Sequence, residues 1–488
     1  MGKTFVKIAL QVGMAIYQYQ QQKKAKAKAA RAARVARSNV LINKQSNNDP
    51  IYPLYGRQRM GGTRVFIDCS DGAGNIQTIV DNKPNNTTHL NIILAMCEGE
   101  IETIEQLWFN DTIVWDVASG GTLTDNSNGG KTLGGFISTT VYHGATMTWN
   151  WYPGSLTQTY DTAVSTSVGS SVWGPTHTLT GISYLAMVLT ANGNVFGGQM
   201  PTFTATCKGK KLLNTAELAE GNEVLVSGAD QNPADVMYDY MVDRFYGKGL
   251  DRTANGNLVP GLDINLASFK QARLDCAAAR SGNGLLINGF LQTEKQLFDN
   301  IGEILETCNG MMLFIDGKYE FRIRKKDEQL NLPTSHIFTK DNIIGEMQLQ
   351  LPNKTAKLNK NTGVFNNPAT KFNDDLVIFK SAAFKVEDNG SVLETQEDYT
   401  MITNSAQVLD LVTQQVNLSR DLYTVLLTVS HQGMLLKSSD IIEIRHPDFG
   451  WGTGAGETQH FFRILELKLK EDNTVEVAAT TYNSALEL

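Results

Sequence analysis

Short runs in which apolar and polar residues alternate dominate the chain, and they predict β-strands over much of its length. Leu90–Met96 and Ile101–Phe109 both show this alternation and are separated by only four residues. We therefore expect them to form an antiparallel pair, and we expect Asn110-Asp111 to turn the chain into a further strand at Thr112–Trp115. Two later runs return to the strand pattern: Gly181–Leu189 and Thr202–Lys208.

The last third of the chain combines strands with one helix near Ser405–Leu418. In one of these strands, leucines alternate with charged residues, so one face is expected to be buried and the other solvated. The three leucines concerned are Leu465, Leu467 and Leu469. The strands expected in this part are Ile441–Arg445, Phe461–Lys470 and Thr474–Thr480, the last two joined by a turn at Asp472-Asn473.

The middle of the chain changes to a helical period. Asn232 and Pro233 are typical of a helix start, and Gly247 is expected to end that helix. A second helix is predicted at Leu266–Arg280 and is stopped by Gly282. A third is predicted to begin with a capping box at Thr293-Glu-Lys-Gln296. Its expected core face consists of Leu297, Phe298, Ile301, Ile304 and Leu305.

These elements predict an α+β, β-rich multidomain fold in which two β-barrel-like domains flank an α+β domain. Within the middle part, Met311–Ile315 and Lys318–Arg324 are expected to form a hairpin, because Asp316-Gly317 suits a type I′ turn. The expected parts are a basic N-terminal helix at 1–40, a β-rich domain at 41–215 with an inserted β subdomain at about 117–180, an α+β domain at 216–345, and a β-barrel-like domain at 346–488.

Charge divides the chain into a basic beginning and an acidic body. The first 37 residues hold nine basic residues and no acidic one, whereas the remaining 451 residues carry 34 bases against 50 acids, a net charge of −16. Thr4–Tyr19 is mostly apolar and Gln20–Arg37 is rich in alanine, lysine and arginine. We expect one helix of roughly 35 residues and about 50 Å, with its alanines on one narrow stripe that a partner can approach closely.

Four interpretations of this N-terminal segment stay open. A secretory signal also begins with basic residues before an apolar stretch, but here Gln11 interrupts the stretch and a basic block follows it. A transmembrane helix needs ~20 apolar residues, more than this stretch offers, so stable membrane insertion is not expected. A basic helix lying on a membrane surface, and a helix that is solvated or packed against a protein partner, both fit the pattern.

No catalytic, cofactor-binding or metal-binding arrangement is visible in the sequence, so we expect a protein that is not an enzyme. Gly129-Gly-Lys-Thr132 resembles the end of a phosphate-binding loop, but Asp125 stands where the first glycine belongs. Asp235, Asp239 and Asp243 would share a helix face, for which a solvated face is favoured over a divalent-cation site. The five cysteines are widely spaced and predict buried free thiols in a reducing compartment.

A set of short stretches, ordered along roughly residues 50–485, resembles one known family. The stretches are Tyr55-Gly-Arg57, Gly61-Gly-Thr63, His89–Ile101, Trp108–Asp111, Gly181–Leu185, Pro201–Ala205, Asn232–Tyr240, Arg244–Leu250 and Gly317–Phe321. In their order they resemble the phage tail-tip attachment protein family, typified by the J protein of lambda-like siphophages, with the baseplate hubs of myophages and gene transfer agents as relatives. Leu436–Asp440 departs from the family, which usually has Pro-Gly before the aspartate.

The resemblance implies a structural tail hub in the virion, assembled in the host cytoplasm. Hubs of this family are homotrimers whose two β-barrel-like domains per subunit imitate the sixfold tail tube and convert it to threefold symmetry. They contact the tube or distal tail protein, the tape-measure protein and the tip or fibre proteins, and they open so that DNA passes during ejection. Lambda-like members continue into long C-terminal domains, so here receptor binding is expected to be delegated to separate proteins.

The sequence also leaves open two alternative functions, an enzymatic and a glycan-binding one, and it suggests a partner contact for the basic segment. A tail-associated cell-wall hydrolase would need a site assembled in space, and a protein that binds host-surface glycans is suggested by Trp149, Trp151 and Trp173. The basic segment is expected to contact the tape measure or the tube lumen, with DNA during ejection as the alternative. The residues expected to make that contact are Lys23, Lys24, Lys26, Lys28, Arg31, Arg34 and Arg37.

Overall fold

The computed structural model describes most of the chain after the N-terminal segment. The described residues are 43, 50–76, 88–143, 146–190, 200–219, 224–229, 231–324, 332–350, 357–420 and 423–486. The N-terminal helix predicted at 1–40 and its basic residues lie outside them.

The first part of the chain forms two sheets that pack face to face, with one helix on the outside. Its elements are β1 (Leu54–Tyr55), β2 (Arg57–Gly61), β3 (Thr63–Ser70), β4 (His89–Glu98), β5 (Ile101–Phe109), β6 (Thr112–Asp116), β7 (Thr122–Asp125), β8 (Lys131–Gly134), β9 (Met147–Tyr152), α1 (Thr162–Val168), β10 (Ile182–Thr190) and β11 (Phe203–Lys210). The six-stranded sheet has the order β3-β4-β10-β9-β8-β7, and the four-stranded sheet has the order β2-β11-β5-β6. Ile92 of β4 and Leu107 of β5 lie in one buried cluster between the sheets.

The predicted pairing of Leu90–Met96 with Ile101–Phe109 is wrong, because the two strands belong to different sheets. β4 pairs with β3 and β10, whereas β5 pairs with β11 and β6. Burial explains this arrangement: Ile92 faces the four-stranded sheet, and Ile93 faces the cluster formed with α1. A strand that is buried on both faces belongs in the middle of a layered structure. The predicted turn from β5 into β6 is confirmed.

The segment predicted as an inserted β subdomain, about 117–180, contributes strands to the same sheet as β4 and β10. β9 pairs with β10, β8 pairs with β9, and β7 pairs with β8. The segment also supplies α1, which Asp161 caps by accepting a hydrogen bond from the Val164 backbone N–H. The six-stranded sheet is thus built from residues on both sides of this segment and from the segment itself.

The central part is the predicted α+β region. Its elements are β12 (Leu212–Leu213), β13 (Leu225–Val226), α2 (Pro233–Val242), α3 (Leu266–Ala278), β14 (Gly289–Phe290), α4 (Leu297–Cys308), β15 (Gly310–Ile315) and β16 (Lys318–Ile323). β1 pairs with β14, so the first part is hydrogen-bonded to this block. The predicted hairpin is confirmed: Asp316 and Gly317 have φ angles of 52° and 80°, as a type I′ turn requires.

Two of the predicted helix limits in this block are wrong. α2 begins as predicted, with Asn232 as its cap, but it ends at Val242, because Asp243 is extended and accepts hydrogen bonds from the two backbone N–H groups that follow. The predicted capping box at Thr293 does not form: α4 begins after Gln296, without a side-chain cap. Phe298 is 74% exposed, and buried Asn300, which donates to the Tyr240 hydroxyl, takes part in the inward face instead.

The last part consists of a six-stranded sheet and a smaller unit inserted into one of its connections. Its elements are β17 (Ile337–Thr339), β18 (Gln348–Gln350), β19 (Lys360–Asn367), β20 (Asn373–Lys380), α5 (Ala382–Glu387), β21 (Glu394–Tyr399), α6 (Ser405–Leu418), β22 (Thr424–Val429), β23 (Ile441–Arg445), β24 (His460–Leu469) and β25 (Val475–Tyr482). The six-stranded order is β17-β23-β24-β25-β22-β18. β18 pairs with β22, and the three-stranded sheet β20-β19-β21 with α6 lies between them in sequence.

The burial predicted for β24 is wrong. Leu465 is 49% exposed and Leu469 is 65% exposed, and only Leu467 packs against the core of the sheet. The register of β24 against β25 shifts between Ile464 and Glu466, which marks a β-bulge. A bulge moves the following residues to other faces, so strict alternation in the sequence no longer gives the buried set.

Candidate functional site

The motifs that resemble catalytic sites have structural explanations. Lys131 and Thr132, in the stretch that resembles a phosphate loop, begin β8, and Lys131 forms an ion pair with Asp125 across the β7–β8 hairpin at 2.5 Å. In the described part of the chain, no group of three or more His, Cys, Asp or Glu side chains could hold a metal ion. Cys97, Cys207, Cys276 and Cys308 are buried free thiols, as expected.

The three tryptophans proposed for glycan binding are core residues. Trp149, Trp151 and Trp173 are 0%, 1% and 4% exposed. Trp149 packs on Phe109 and Phe203 at centroid distances of 5.4 and 5.6 Å. Stacking on a sugar requires an open ring face, so these residues do not support glycan binding.

The aspartate row on α2 is not a solvated face, which corrects the favoured interpretation. Asp235 is 1% exposed and accepts hydrogen bonds from Arg273 Nε at 2.9 Å and from the hydroxyl and backbone N–H of Thr215. Asp239 pairs with Lys210 Nζ at 2.9 Å, and Asp243 caps the turn after the helix. These carboxylates join α2 to its neighbours.

Lys210 and Asp239 lie at the centre of a buried polar contact between the first part and the central block. Lys210 ends β11, Tyr55 lies on β1, and Asp239 lies on α2. The Tyr55 hydroxyl donates to Asp239 Oδ2 at 2.7 Å, and Lys210 Nζ lies 3.1 Å from the Tyr246 hydroxyl. We call this set (Tyr55, Lys210, Asp239, Tyr246) the first junction.

The electrostatics of the first junction favour the charged form of Lys210. Burial acts to lower the pKa of Lys210, but Asp239 and Tyr246 outweigh it and raise the pKa above its ordinary value. Burial, with Asp239 nearby, raises the pKa of Tyr55 well above its ordinary value, so this phenol stays neutral and donates. Burial and Asp243 also raise the pKa of Glu98, which Lys210 partly offsets. The junction is an ammonium–carboxylate pair supported by phenol groups.

A second junction joins α6 to the central block. The Gln407 side chain is fully buried; its Oε1 accepts from the Leu286 backbone N–H at 3.1 Å, and its Nε2 donates to the carbonyls of Leu286 and Thr307. Arg280 Nε lies 2.6 Å from Asp410 Oδ2, close to the same helix contact. One amide side chain thus satisfies three backbone groups of another unit.

A third junction joins the last six-stranded sheet to the central hairpin. Arg322 on β16 bonds Glu320 Oε2 at 2.9 Å and Asp440 Oδ1 at 3.0 Å, and it donates to the Ser438 carbonyl at 3.3 Å. His336 Nε2 lies 3.4 Å from the same Asp440 carboxylate. The Leu436–Asp440 stretch, where the sequence departs from the family pattern, therefore contains a residue of this contact.

The central block therefore holds each β unit through side chains whose partners lie on another unit. A buried pair that is broken leaves an uncompensated charge, so such contacts resist reorientation of one unit against the next. Tyr55, Asp239 and Tyr246 lie in stretches that carry the family resemblance, and Asp440 ends the stretch that departs from it, but the sequence alone assigns none of them a role in joining the units. Asp239 was assigned to a solvated helix face. Of the contact residues proposed from sequence, Lys23, Lys24, Lys26, Lys28, Arg31, Arg34 and Arg37 all lie outside the described residues.

Within the described residues, no helix is long and apolar enough to span a membrane.

Comparison with known proteins gives a relative in sequence and several solved structures that align with most of this chain. No protein-family model matches the chain. Over 332 residues, 64% of this chain, it is 21% identical to the baseplate hub protein pb3 of Escherichia phage T5, and it spans about a third (33%) of that protein's length. A chain in the virion of the native gene transfer agent particle has a similar fold, with a TM-score of 0.57 at 14% identity, covering 91% of this chain and 87% of that one.

The tail protein from Neisseria meningitidis MC58 aligns over 88% of this chain and 95% of its own length. Its TM-score of 0.34 is too low to establish a common fold. The chain is thus similar in sequence to a baseplate hub protein of a phage and similar in fold to a chain of a gene transfer agent virion. The relative that is similar in sequence is a hub, which is the finer class that the sequence analysis expected.

Proposed function

We propose that this chain is the structural hub of a phage tail tip or baseplate. Three copies form a ring that closes the distal end of the tail tube, adapts its sixfold symmetry to a threefold tip and opens for DNA ejection. The hub is assembled in the host cytoplasm and becomes part of the virion, where it contacts the tube or distal tail protein, the tape-measure protein and the tip or fibre proteins. It performs no catalysis.

The observation that carries this proposal is the way two β units are mounted on one central block. A subunit that imitates two tube subunits must present two β units at a fixed spacing, since a ring closes only if each copy repeats the same rotation. The first and third junctions attach one β unit each to the block through buried or half-buried charges. The sequence similarity to a baseplate hub supports the same proposal.

Native mass measurement of the full chain tests the proposal. We expect a trimer of about 160 kDa from chains of 53.6 kDa, and we expect it to bind end-on to purified tail-tube rings. A monomer without affinity for tube rings would contradict the hub. Incubation with purified peptidoglycan is the control for catalysis, and release of soluble fragments would contradict the structural role.

The basic N-terminal segment is proposed to contact the tape-measure bundle or the wall of the tube lumen. It carries nine positive charges and no acid, which suits an acidic partner and excludes pairing within the segment. DNA passing during ejection is the alternative partner, and its binding would weaken steeply with salt. Arg31, Arg34 and Arg37 supply three of these nine charges.

Replacing Lys23, Lys24, Lys26 and Lys28 together by glutamine tests this contact. We expect tails that assemble poorly or eject DNA slowly, because the segment loses four of its nine positive charges. The matched control replaces Lys131, Lys340, Lys468 and Lys470, which are partly exposed lysines of the body. Fully assembled and infectious particles from the N-terminal variant would exclude both the tape-measure and the DNA version.

A further inference from the structure

The strand β20 forms a long open edge of the three-stranded sheet in the small inserted unit. It has eight residues, and among the residues that the structure describes it is hydrogen-bonded to β19 alone. An unpaired edge presents a row of N–H and C=O groups to which another strand can add, and natural sheets keep such edges short or covered. The last six-stranded sheet follows that rule, since β17 and β18 at its two edges have three residues each. A further strand therefore fits beside β20.

The two faces of β20 differ in exposure. Val377 and Phe379 pack on the buried cluster of α6, whereas Leu376 and Ile378, which alternate with them, are 57% and 46% exposed. The neighbouring strand is covered on the face of Leu376, because Val364 of β19, its register partner, is 1% exposed. The apolar surface thus becomes accessible at the edge strand itself, where the unpaired backbone groups lie.

The exposed face of β20 is complementary to itself when it is read in reverse. Its four residues are Asp374, Leu376, Ile378 and Lys380, and all four are exposed. In an antiparallel pair of two β20 strands centred on Val377, Asp374 of each copy lies opposite Lys380 of the other copy, and Leu376 lies opposite Ile378. Opposite charges and facing aliphatic side chains on neighbouring strands both stabilise a sheet.

Other arrangements of two β20 strands lose this complementarity. A parallel pair in the same register places Asp374 beside Asp374 and Lys380 beside Lys380, and like charges destabilise a sheet. An antiparallel pair centred on Leu376 or on Ile378 leaves both charges without an opposite charge across the edge. Inside the sheet, the register partner of Lys380 is Lys360, so β19 offers it no carboxylate at that position. Charge therefore selects the antiparallel pair centred on Val377.

We propose that β20 binds the β20 strand of a second copy of this chain, antiparallel and with Val377 opposite Val377. The two three-stranded sheets then form one six-stranded sheet, with the α6 helices of both copies on one face and the leucine–isoleucine pairs on the other. This contact is two-fold, whereas a ring of three copies has a threefold axis, so it joins copies that belong to different rings. It covers the open edge in the free protein, and it does not depend on the proposed hub.

Exchange of the two charges tests the contact. Lys380→Asp places aspartates opposite each other and Asp374→Lys places lysines opposite each other, so we expect each variant to self-associate at least about tenfold more weakly than the native chain. An equimolar mixture of the two variants restores two unlike pairs, as does the double variant, and both are expected to associate like the native chain. Sedimentation velocity of the full chain over a concentration series measures this. Lys385→Asp, at an exposed position of α5, is the matched control and is expected to leave the association unchanged.

Single cysteines test the register, in a chain in which Cys69→Ser removes the one native thiol that is not buried. We expect Leu376→Cys mixed with Ile378→Cys to give at least about tenfold more disulfide between copies, on oxidation with diamide, than either variant alone. The reason is that Leu376 lies opposite Ile378 and two residues away from its own counterpart, while a disulfide forms only when the Cα atoms lie within about 7 Å. Disulfide in one of the single variants, and not in the mixture, would overturn the register.

The remaining outcomes are equally decisive. A native chain whose mass does not rise with concentration would overturn the pairing, and so would charge variants that associate like the native chain or a mixture that fails to restore association. Restored association in the mixture shows at the same time that both single variants are folded. Pairs of single copies would support the pairing and contradict the hub, whereas trimers that associate no further would support the hub and overturn the pairing.

Discussion

The first and the last six-stranded sheets have the same number of strands, but the chain covers them differently. One face of the first sheet packs on the four-stranded sheet. The other face packs on Val164 of α1 and on Trp173, which follows that helix. The last sheet contributes to one buried cluster, formed by residues such as Val425 and Phe462. Its strand β24 leaves Leu465 half exposed. The first sheet is covered on both faces, apart from Val65 and Ile67 on its edge strand β3, whereas the last sheet leaves leucines of the inner strand β24 exposed.

The difference indicates which part of the subunit is complete by itself. Burial of apolar side chains is the main stabilising contribution to a domain, so the first part gains most of its stability within one chain. The exposed leucines of β24 gain nothing until another surface covers them. For a subunit that we propose to work only in an assembly, the last part is the side where neighbours add the most.

Replacement of a core tryptophan gives the largest expected effect. Trp149→Ala removes a fully buried side chain between Phe109 and Phe203, and we expect a loss of about 3–5 kcal/mol in the free energy of unfolding. Leu469→Ala, at a 65% exposed position of the last sheet, is expected to change stability by no more than about 0.5 kcal/mol. Denaturation in guanidinium chloride, monitored by tryptophan fluorescence and by circular dichroism, measures both losses. Equal losses for the two variants would contradict the difference in burial between the first and the last sheet.

The parts of the fold that the sequence predicted are those decided by neighbouring residues. α6 has the predicted limits, Ser405–Leu418, because Asn404 caps it by accepting hydrogen bonds from two backbone N–H groups. The hairpin at Asp316-Gly317 is correct because its turn requires positive φ at both positions. In both cases the information lies within a few residues of the element.

The parts that the sequence did not predict depend on distant segments. The pairing of β4 and β5 failed because both have distant partners in β10 and β11, and nothing local distinguishes a hairpin from a change of sheet. The burial of β24 failed at a bulge after Ile464, which composition does not signal. The junction site was missed for the same reason: Tyr55 reaches Asp239 across 184 residues of sequence.

Removal of the first junction gives the next largest expected effect. It tests how strongly the first part is attached to the central block. Lys210→Met leaves Asp239 without its counter-charge, and since their side chains are 25% and 15% exposed, we expect a loss of about 2 kcal/mol, less than for a fully buried pair. Lys131→Met is the matched control, because its partner Asp125 is 85% exposed and the pair contributes little.

The double variant Lys210→Met with Asp239→Leu isolates the unpaired charge as the cause. We expect it to recover part of the loss, because no buried carboxylate then remains without a partner. Chemical denaturation of the four variants in a double-mutant cycle gives the coupling. A double variant as unstable as the sum of the single ones would show that the two residues act independently and that the first junction does not hold the units together.

The smallest effect is expected in the last part, at the ion pair between Asp388 and Arg420 near the end of α6. The hydrogen bond from Arg420 lowers the pKa of Asp388 below its ordinary value of 3.8, and the side chains of Asp388 and Arg420 are 12% and 7% exposed. A carboxyl whose pKa is lowered on folding stabilises the fold above its unfolded pKa, and this contribution is lost as the pH falls through the folded value. We expect Asp388→Asn to cost about 1 kcal/mol at neutral pH, less than Lys210→Met, because asparagine keeps a side-chain oxygen that accepts from Arg420. We expect the difference from the native chain to disappear under acid conditions. Urea denaturation of both chains over a pH series measures this, and a difference that stays constant as the pH falls below 3.8 would assign the effect to packing instead of charge.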